Sequence, residues 1–234
     1  MNKRIELSPR LRMVADLVPA GARLADIGTD HAYLPAALLM EGKIPSAIAA
    51  DLREGPLAHA RATAEEYGVT EHIDFRLCNG LDGIHPREAD TVVIAGMGGE
   101  TILEILRYAP WTRQLNVPLI LQPMSTMPEL RCWLAEHGYR ITTEKLAQEG
   151  DNLYTALLVQ AGEMKSMTPA EQWVGRNRPD PLRGAWLDRW QAKTEWVLKG
   201  LAQAKQGQAE ERRQLMEQVH DGIVKMKEEW NTWQ

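Results

Sequence analysis

Cysteine is scarce in this chain of 234 residues: Cys78 and Cys132 stand far apart and in no C-x-x-C pair. That spacing argues against a disulfide framework, and both side chains read as reduced, mostly buried thiols. The six His residues are scattered, with no H-E-x-x-H or H-x-x-E-H spacing, so the pattern supports no metal site. No apolar run approaches the length of a transmembrane helix. Residues Met1 to Glu6 lack the apolar centre of a signal peptide, so a cytoplasmic location is expected. Positive charge is not in excess either. Lys and Arg number 27 against 32 Asp and Glu, a net −5, which gives no global argument for a nucleic-acid partner.

What is present suits a globular enzyme-sized fold. The apolar fraction of 44% supports a core, and the charged fraction of 25% is that of a soluble protein. The basic residues are unevenly spread. Residues 1–23 hold five Lys/Arg against two acids, and residues 165–193 hold six against three, a local +3 in each. Such patches can attract a phosphate backbone locally, although small excesses of this kind are usually solvated surface.

Taken in order, the pattern alternates. Ser8-Pro9 reads as an N-cap followed by Pro at the first helical position, and Leu11, Val14, Ala15 and Val18 recur at helical spacing. A strand from Arg23 to Ile27 runs into a Gly28 turn, and a helix from about Tyr33 to Glu41 ends at Gly42. Further strands are expected over Ile44–Asp51, Ile73–Leu77, Thr91–Ala95 and Pro118–Leu121. Helices are expected over Leu57–Tyr67, Glu100–Tyr108 and from Pro128 to before Gly138. Tyr139–Leu146 and Asn152–Gln160 form a closing hairpin around Glu149-Gly150-Asp151. This predicts an α/β fold: a doubly wound sheet with an antiparallel last strand, as in class I methyltransferases, over residues 1–162.

Residues 163–234 change character. Thr168-Pro169-Ala170-Glu171 is a capping box, and 176–181 is an irregular joint. Leu187, Trp190, Thr194, Val197, Leu201 and Ala204 repeat at 3 and 4, as do Met216, Val219, Ile223, Met226, Trp230 and Trp233. Two heptad stripes broken around Gly207 predict a C-terminal helical, coiled-coil-like hairpin. Six of the eight Trp lie in this tail, where packing is the commoner role for stripe positions. A monomer is expected, with pairing of the stripes between chains left open.

The candidate chemistry gathers on loops after strands. Asp26-Ile27-Gly28 is not the dinucleotide fingerprint, since Asp30 and Tyr33 stand where G-x-G-x-x-G needs Gly. An acid two places before a Gly suits S-adenosylmethionine instead: Gly28 lets the backbone approach the ligand, and Asp26 organises the turn or meets the ammonium. Asp51 ends the second strand, where a carboxylate can accept from ribose hydroxyls, and Leu52 follows it on the same loop. Asn79 and Gly80 can bracket the adenine. Each of these residues also has a purely structural reading; the ordered set carries the inference. Gly96-Met97-Gly98-Gly99 places three glycines in four residues, more than a turn requires, which implies close approach by donor or substrate. The N-P-P-[YF] signature of exocyclic-amine methyltransferases is absent, which points to a ring nitrogen as target.

Asp26-Ile27-Gly28-Thr29-Asp30-His31-Ala32-Tyr33-Leu34-Pro35, Glu54-Gly55-Pro56, Ala95-Gly96-Met97-Gly98-Gly99 and Leu121-Gln122-Pro123 together resemble the bacterial tRNA (adenine-22-N1)-methyltransferases of the TrmK type. The resemblance runs from about Leu7 to Gly162, and the helical tail fits that family's appendage. It implies methyl transfer from S-adenosylmethionine to N1 of an adenine in the D-arm of tRNA, leaving S-adenosylhomocysteine. It further implies Asp30 as the acid beside the cationic product, His31 and Tyr33 orienting or stacking on the base, and Gln122 on the adenine edge with Pro123 as an apolar wall. Gly99 joins the substrate side. Arg10, Arg12 and Arg131 become candidate phosphate contacts, extended toward the tail by Arg176, Arg178 and Arg183. One departure is that Met124 stands where that family usually has Asn after Gln-Pro, so no role is carried over to it. A small-molecule methyltransferase and a non-catalytic ligand-binding scaffold remain as alternative readings.

Overall fold

The computed structural model describes residues 4–203 and 210–233. Seven strands form one sheet in the order β3-β2-β1-β4-β5-β7-β6. These are β1 (Arg23–Ile27), β2 (Ser46–Asp51), β3 (Ile73–Leu77), β4 (Thr91–Met97), β5 (Leu119–Pro123), β6 (Tyr139–Glu149) and β7 (Asn152–Ala161). The pairs among β1 to β5 are parallel, and β7 inserts antiparallel between β5 and β6. The expected sheet with its antiparallel last strand is therefore what forms. Because β1 lies between β2 and β4, the chain reverses its direction of travel there. The carboxyl ends of β1 and β4 flank the crevice where doubly wound sheets take ligands.

Strand alternation divides the core. Leu24, Val93 and Ile120 pack on one face, beneath α1 (Pro9–Leu17), α2 (Tyr33–Met40) and α3 (Glu54–Glu66). Ala25, Val92, Ile94, Leu119 and Leu121 pack on the other, beneath α4 (Gly99–Tyr108) and α6 (Met127–Glu136). The Ser8 hydroxyl accepts from the Leu11 amide, the cap expected from Ser8-Pro9. Element ends differ by a few residues. α3 starts at Glu54 because Pro56 sits in its first turn, where no intrahelical donor is lost. β4 continues through Gly96-Met97, and a one-turn helix, α5 (Trp111–Gln114), carries no periodic signal. Cys78 and Cys132 are free and half-buried, and burial pushes both thiols up.

The tail consists of α7 (Pro169–Val174), α8 (Arg183–Ala202) and α9 (Glu210–Asn231). The Thr168–Glu171 capping box forms in both directions. A Cβ on Gly184 would meet Trp230, Lys227 pairs with Asp188, and the Thr194 hydroxyl lies 3.0 Å from His220 Nδ1. Ascending α8 thus means descending α9, and the two run antiparallel as expected. Leu187, Thr194, Val219 and Ile223 are fully buried, while Trp233 leaves the stripe and is 51% exposed. Ala204 and Gly207, at the expected break, lie outside the described residues. Among the described residues no helix is long and apolar enough to cross a membrane.

Arginines, rather than apolar contact alone, join the tail to the sheet. Arg131 on α6 is 1% exposed; its Nε donates to Glu144 Oε1 at 3.1 Å and its Nη1 to the carbonyls of Gln172 and Trp173. Arg183, 3% exposed, donates to the carbonyls of Val174 and Gly175, and burial holds its guanidinium down to about 10. Arg178 donates to the carbonyls of Ile141 and Thr142. These three were expected to face phosphates. Their hydrogen bonds are instead made inside the protein, and Arg131 Nη2, also buried, has only its ion pair with Glu144 at 3.1 Å, so the expectation is corrected for Arg131, Arg178 and Arg183. Removing one partner of a buried ion pair strands the other, which typically costs several kcal/mol. Arg131→Ala should lower the unfolding free energy by about 3 kcal/mol in urea titration. Unchanged stability would mean that the Glu144 pair does not hold the α6–α7 junction.

Candidate functional site

The turn after β1 is built from backbone that few sequences tolerate. Gly28 has φ +72°, and Asp30 and Ala32 follow at +47° and +52°. Left-handed non-glycine residues cost free energy and gather where a site imposes them. Two things hold the turn. The Gly28 and Thr29 amides donate to the Ala50 carbonyl at 2.8 and 3.1 Å, joining the ends of β1 and β2. The Thr29 hydroxyl donates to Asp26 Oδ2 at 2.7 Å, with both residues buried. The left-handed φ is what requires glycine at position 28; a Cβ there would also meet the terminal methyl of Met97, which a flexible side chain can move aside.

Asp26, Gly28, Asp30, His31, Tyr33, Gly96 and Arg10 line one cleft of about 230 Å³ at the carboxyl ends of β1 and β4. Seven of the expected site residues are therefore brought together. Thr29, within the quoted Asp26–Pro35 string but given no role there, and Leu11 line the cleft too. Asp51, at the end of β2, is 8% exposed, and its Oδ1 accepts from the Arg53 amide at 2.9 Å. Leu52 beside it is 65% exposed. Asn79 is exposed at the end of β3. Gly80, at φ +55°, abuts Ile105 of α4. The chemistry fits an adenosyl ligand with an amino-acid end: a carboxylate at the β2 terminus, a left-handed glycine turn, and a buried acid beneath it.

The outer wall is a ladder of rings. His31 stacks on Tyr33 at 5.3 Å and on His59 at 4.7 Å, with interplanar angles of 13° and 6°. His59, on α3, lies 28 residues from His31 and has no spacing that sequence reading could use. Ligand atoms of Asp30, His31 and His59 lie within 4.8 Å of one another. The nearly parallel His31 and His59 rings keep their in-plane nitrogen lone pairs in separate planes.

Gln122 requires correction. It is fully buried; its Oε1 accepts from Arg10 Nη1 at 2.9 Å and from the Gly96 amide at 3.1 Å. Its Nε2 donates to the Pro123 carbonyl and approaches the Met124 sulfur. With both ends of the amide engaged, Gln122 positions Arg10 and Gly96 and does not read a base edge. Gly99 is corrected as well. A Cβ there would lie 2.6 Å from the Thr126 carbonyl oxygen, so this glycine admits the β5–α6 loop rather than a substrate. Gly98 caps α4 beneath Ser125, and Pro123 is buried. Arg12 forms a bidentate pair with Glu41, and Arg176 donates to the Lys165 and Ser166 carbonyls.

Comparisons agree with this geometry. A family model described as a methyltransferase domain matches residues 7–157. The tRNA (adenine(22)-N(1))-methyltransferase of Bacillus subtilis is 32% identical over 236 residues, covering 97% of this chain and 98% of that protein. The crystal structure of the B. subtilis M1A22 tRNA methyltransferase TrmK superposes with TM-score 0.83 at 30% identity, covering 96% of this chain and 100% of that one. M. capricolum TrmK, solved with its natural cofactor product S-adenosyl-homocysteine, gives TM-score 0.74 at 29% identity, with coverage of 93% and 99%.

Burial pushes the Asp26 carboxyl from 3.8 up to about 6; the Thr29 hydrogen bond opposes this and the nearby Asp51 charge adds to it. The native state therefore keeps a proton that the unfolded chain has released. The stability linked to that proton is full below about pH 4 and lost as pH rises through 6, by up to about 3 kcal/mol. Urea unfolding at pH 4.5 and 7.5 should show the wild type losing more stability over that interval than Asp26→Asn. Parallel losses in the two proteins would contradict the buried-acid assignment.

Proposed function

The chain belongs to the family of tRNA (adenine(22)-N(1))-methyltransferases, and on that premise we propose that its β1–β4 cleft transfers the methyl group of S-adenosylmethionine to N1 of adenine-22 in tRNA. The observation that carries the reading is the shared cleft: the Asp26–Gly28 side and the Asp30–Tyr33 side of one turn line the same space, together with Gly96 and Arg10.

S-adenosylmethionine, when bound, supplies a methyl group already activated by sulfonium charge. Asp26 sits below the amino-acid end and balances its ammonium. Asp51 accepts from the ribose hydroxyls, with Leu52 along the ribose–adenine edge and Asn79 and Gly80 bracketing the adenine. Gly96, Met97 and Gly98 form the floor between donor and acceptor. N1 lies on the Watson–Crick edge, so a paired adenine leaves its stack to enter. His31 and Tyr33 offer ring faces to the extruded base, and Gln122 acts behind them by fixing Arg10 and the Gly96 amide. The N1 lone pair attacks the methyl carbon in line as the carbon–sulfur bond breaks, and orientation supplies most of the acceleration. The product ring is cationic, and Asp30, exposed at the rim, offsets that charge. Residues 163–234 act as a tRNA-contacting appendage.

Labelled-methyl assays test this reading. Incorporation is expected into tRNA bearing adenine at position 22 and not into the same tRNA with guanine there; equal incorporation would refute the site assignment. Asp30→Ala should lower kcat about tenfold with donor affinity unchanged, and full activity would remove Asp30 from the mechanism. Donor binding should tighten about tenfold from pH 5 to pH 7, because the ammonium favours ionised Asp26, whose carboxyl otherwise titrates near 6. A flat calorimetric profile would mean that Asp26 does not meet the ammonium.

A further inference from the structure

A second groove, of about 430 Å³, lies between α8 and the β6–β7 hairpin and opens at the carboxyl end of β5. Its walls include Tyr154, Trp186 and Trp190, and Met124 marks its mouth. Its rim carries Lys193 and Arg189, the latter donating to the Asp151 carbonyl and the Asn152 side-chain oxygen. Among the described residues no Asp or Glu lines it. Three features distinguish it from an incidental gap between domains. Trp190 is held edge-on by Trp173 at 5.4 Å and by Trp186 at 5.8 Å, so its ring orientation is fixed. Lys193 Nζ lies 4.4 Å from the Trp190 ring centroid, over its face. Arg10, which lines the methyl-transfer cleft, lies 5.8 Å from the Tyr154 ring centroid, so the two cavities adjoin through one arginine–tyrosine contact.

We propose that this groove takes an unstacked nucleotide of the tRNA next to the target adenine, its base against Trp190 and its phosphate on Lys193. The inference rests on the tRNA reading given above. Aromatic faces bind bases of any identity, and Lys or Arg on the rim binds the backbone without reading sequence. In the free protein the lysine ammonium occupies the indole face. On binding, the base takes the ring and the ammonium moves to the phosphate, so each group exchanges one favourable contact for another. The fixed tryptophan limits the ordering cost. The same geometry gives the tail a task close to the chemistry: it supplies one wall of a site that holds the strand while the neighbouring base is extruded.

The test uses the full-length protein with unmodified tRNA. Lys193→Glu should raise the KM for tRNA about tenfold with the donor KM unchanged. Lys193→Ala should reduce the slope of log affinity against log salt by about one, the loss of one phosphate contact. Lys193→Arg should restore both. Lys199→Glu, on the same helix outside the groove, is the control for general electrostatic steering. Ultraviolet cross-linking should join the peptide containing Trp190 to a nucleotide adjacent to adenine-22. If Lys193→Glu weakens tRNA no more than Lys199→Glu, or if the Trp190 peptide carries no cross-link, the proposal fails. Failure of the wild type to methylate tRNA would instead overturn the underlying function, so the two failures are separable.

Discussion

The amide of Gln122 is the contact on which the geometry of the cleft depends. It is wholly buried at the end of β5, and one oxygen accepts from two donors, the Gly96 amide and the Arg10 guanidinium. An unmade hydrogen bond in that position would be costly, which makes the arrangement stiff. Through it β4, β5 and α1 meet at a single point. The left-handed Gly96 and the half-buried Arg10 are then fixed relative to the β1 turn, whose own shape is set by Thr29 on Asp26 and by two amides on the Ala50 carbonyl. A reaction whose donor is already activated needs mainly orientation, and these contacts supply it.

A similar use of polar groups connects the two parts of the chain. Arg131, Arg178 and Arg183 direct their donors into carbonyl groups and one carboxylate around the α6–α7–α8 junction. A third apolar cluster, running from Met127 through Ala170 and Trp186 to Ile223, closes the same junction. The basic patch read over residues 165–193 is therefore divided in function. Its arginines hold the tail in place, Arg189 included through the Asp151 carbonyl, while Lys193 remains exposed.

Much of the fold was legible because its signals are local. Short apolar runs, continuous over Thr91–Ala95 and alternating over Ile73–Leu77, marked the strands, Ser8-Pro9 and the Thr168–Glu171 box marked helix starts, and Gly42 and Gly138 marked stops. The cleft was legible where a contiguous string carried it, from Asp26 to Tyr33. What escaped depends on distance in sequence. Gln122 reads as a base-reading amide until its partners, 26 and 112 residues away, are known. Gly99 reads as a substrate glycine until the Thr126 carbonyl is found over it. A buried arginine and a phosphate-binding arginine are the same letter. His59 completes a ring stack only because α3 packs beside the β1 turn.

The central claim is that this cleft directs a methyl group to a ring nitrogen of adenine. It is tested most directly by chromatographic and mass-spectrometric analysis of nucleosides from tRNA incubated with the protein and S-adenosylmethionine. The account predicts 1-methyladenosine as the new nucleoside. N6-methyladenosine, or an unchanged nucleoside profile, would contradict it.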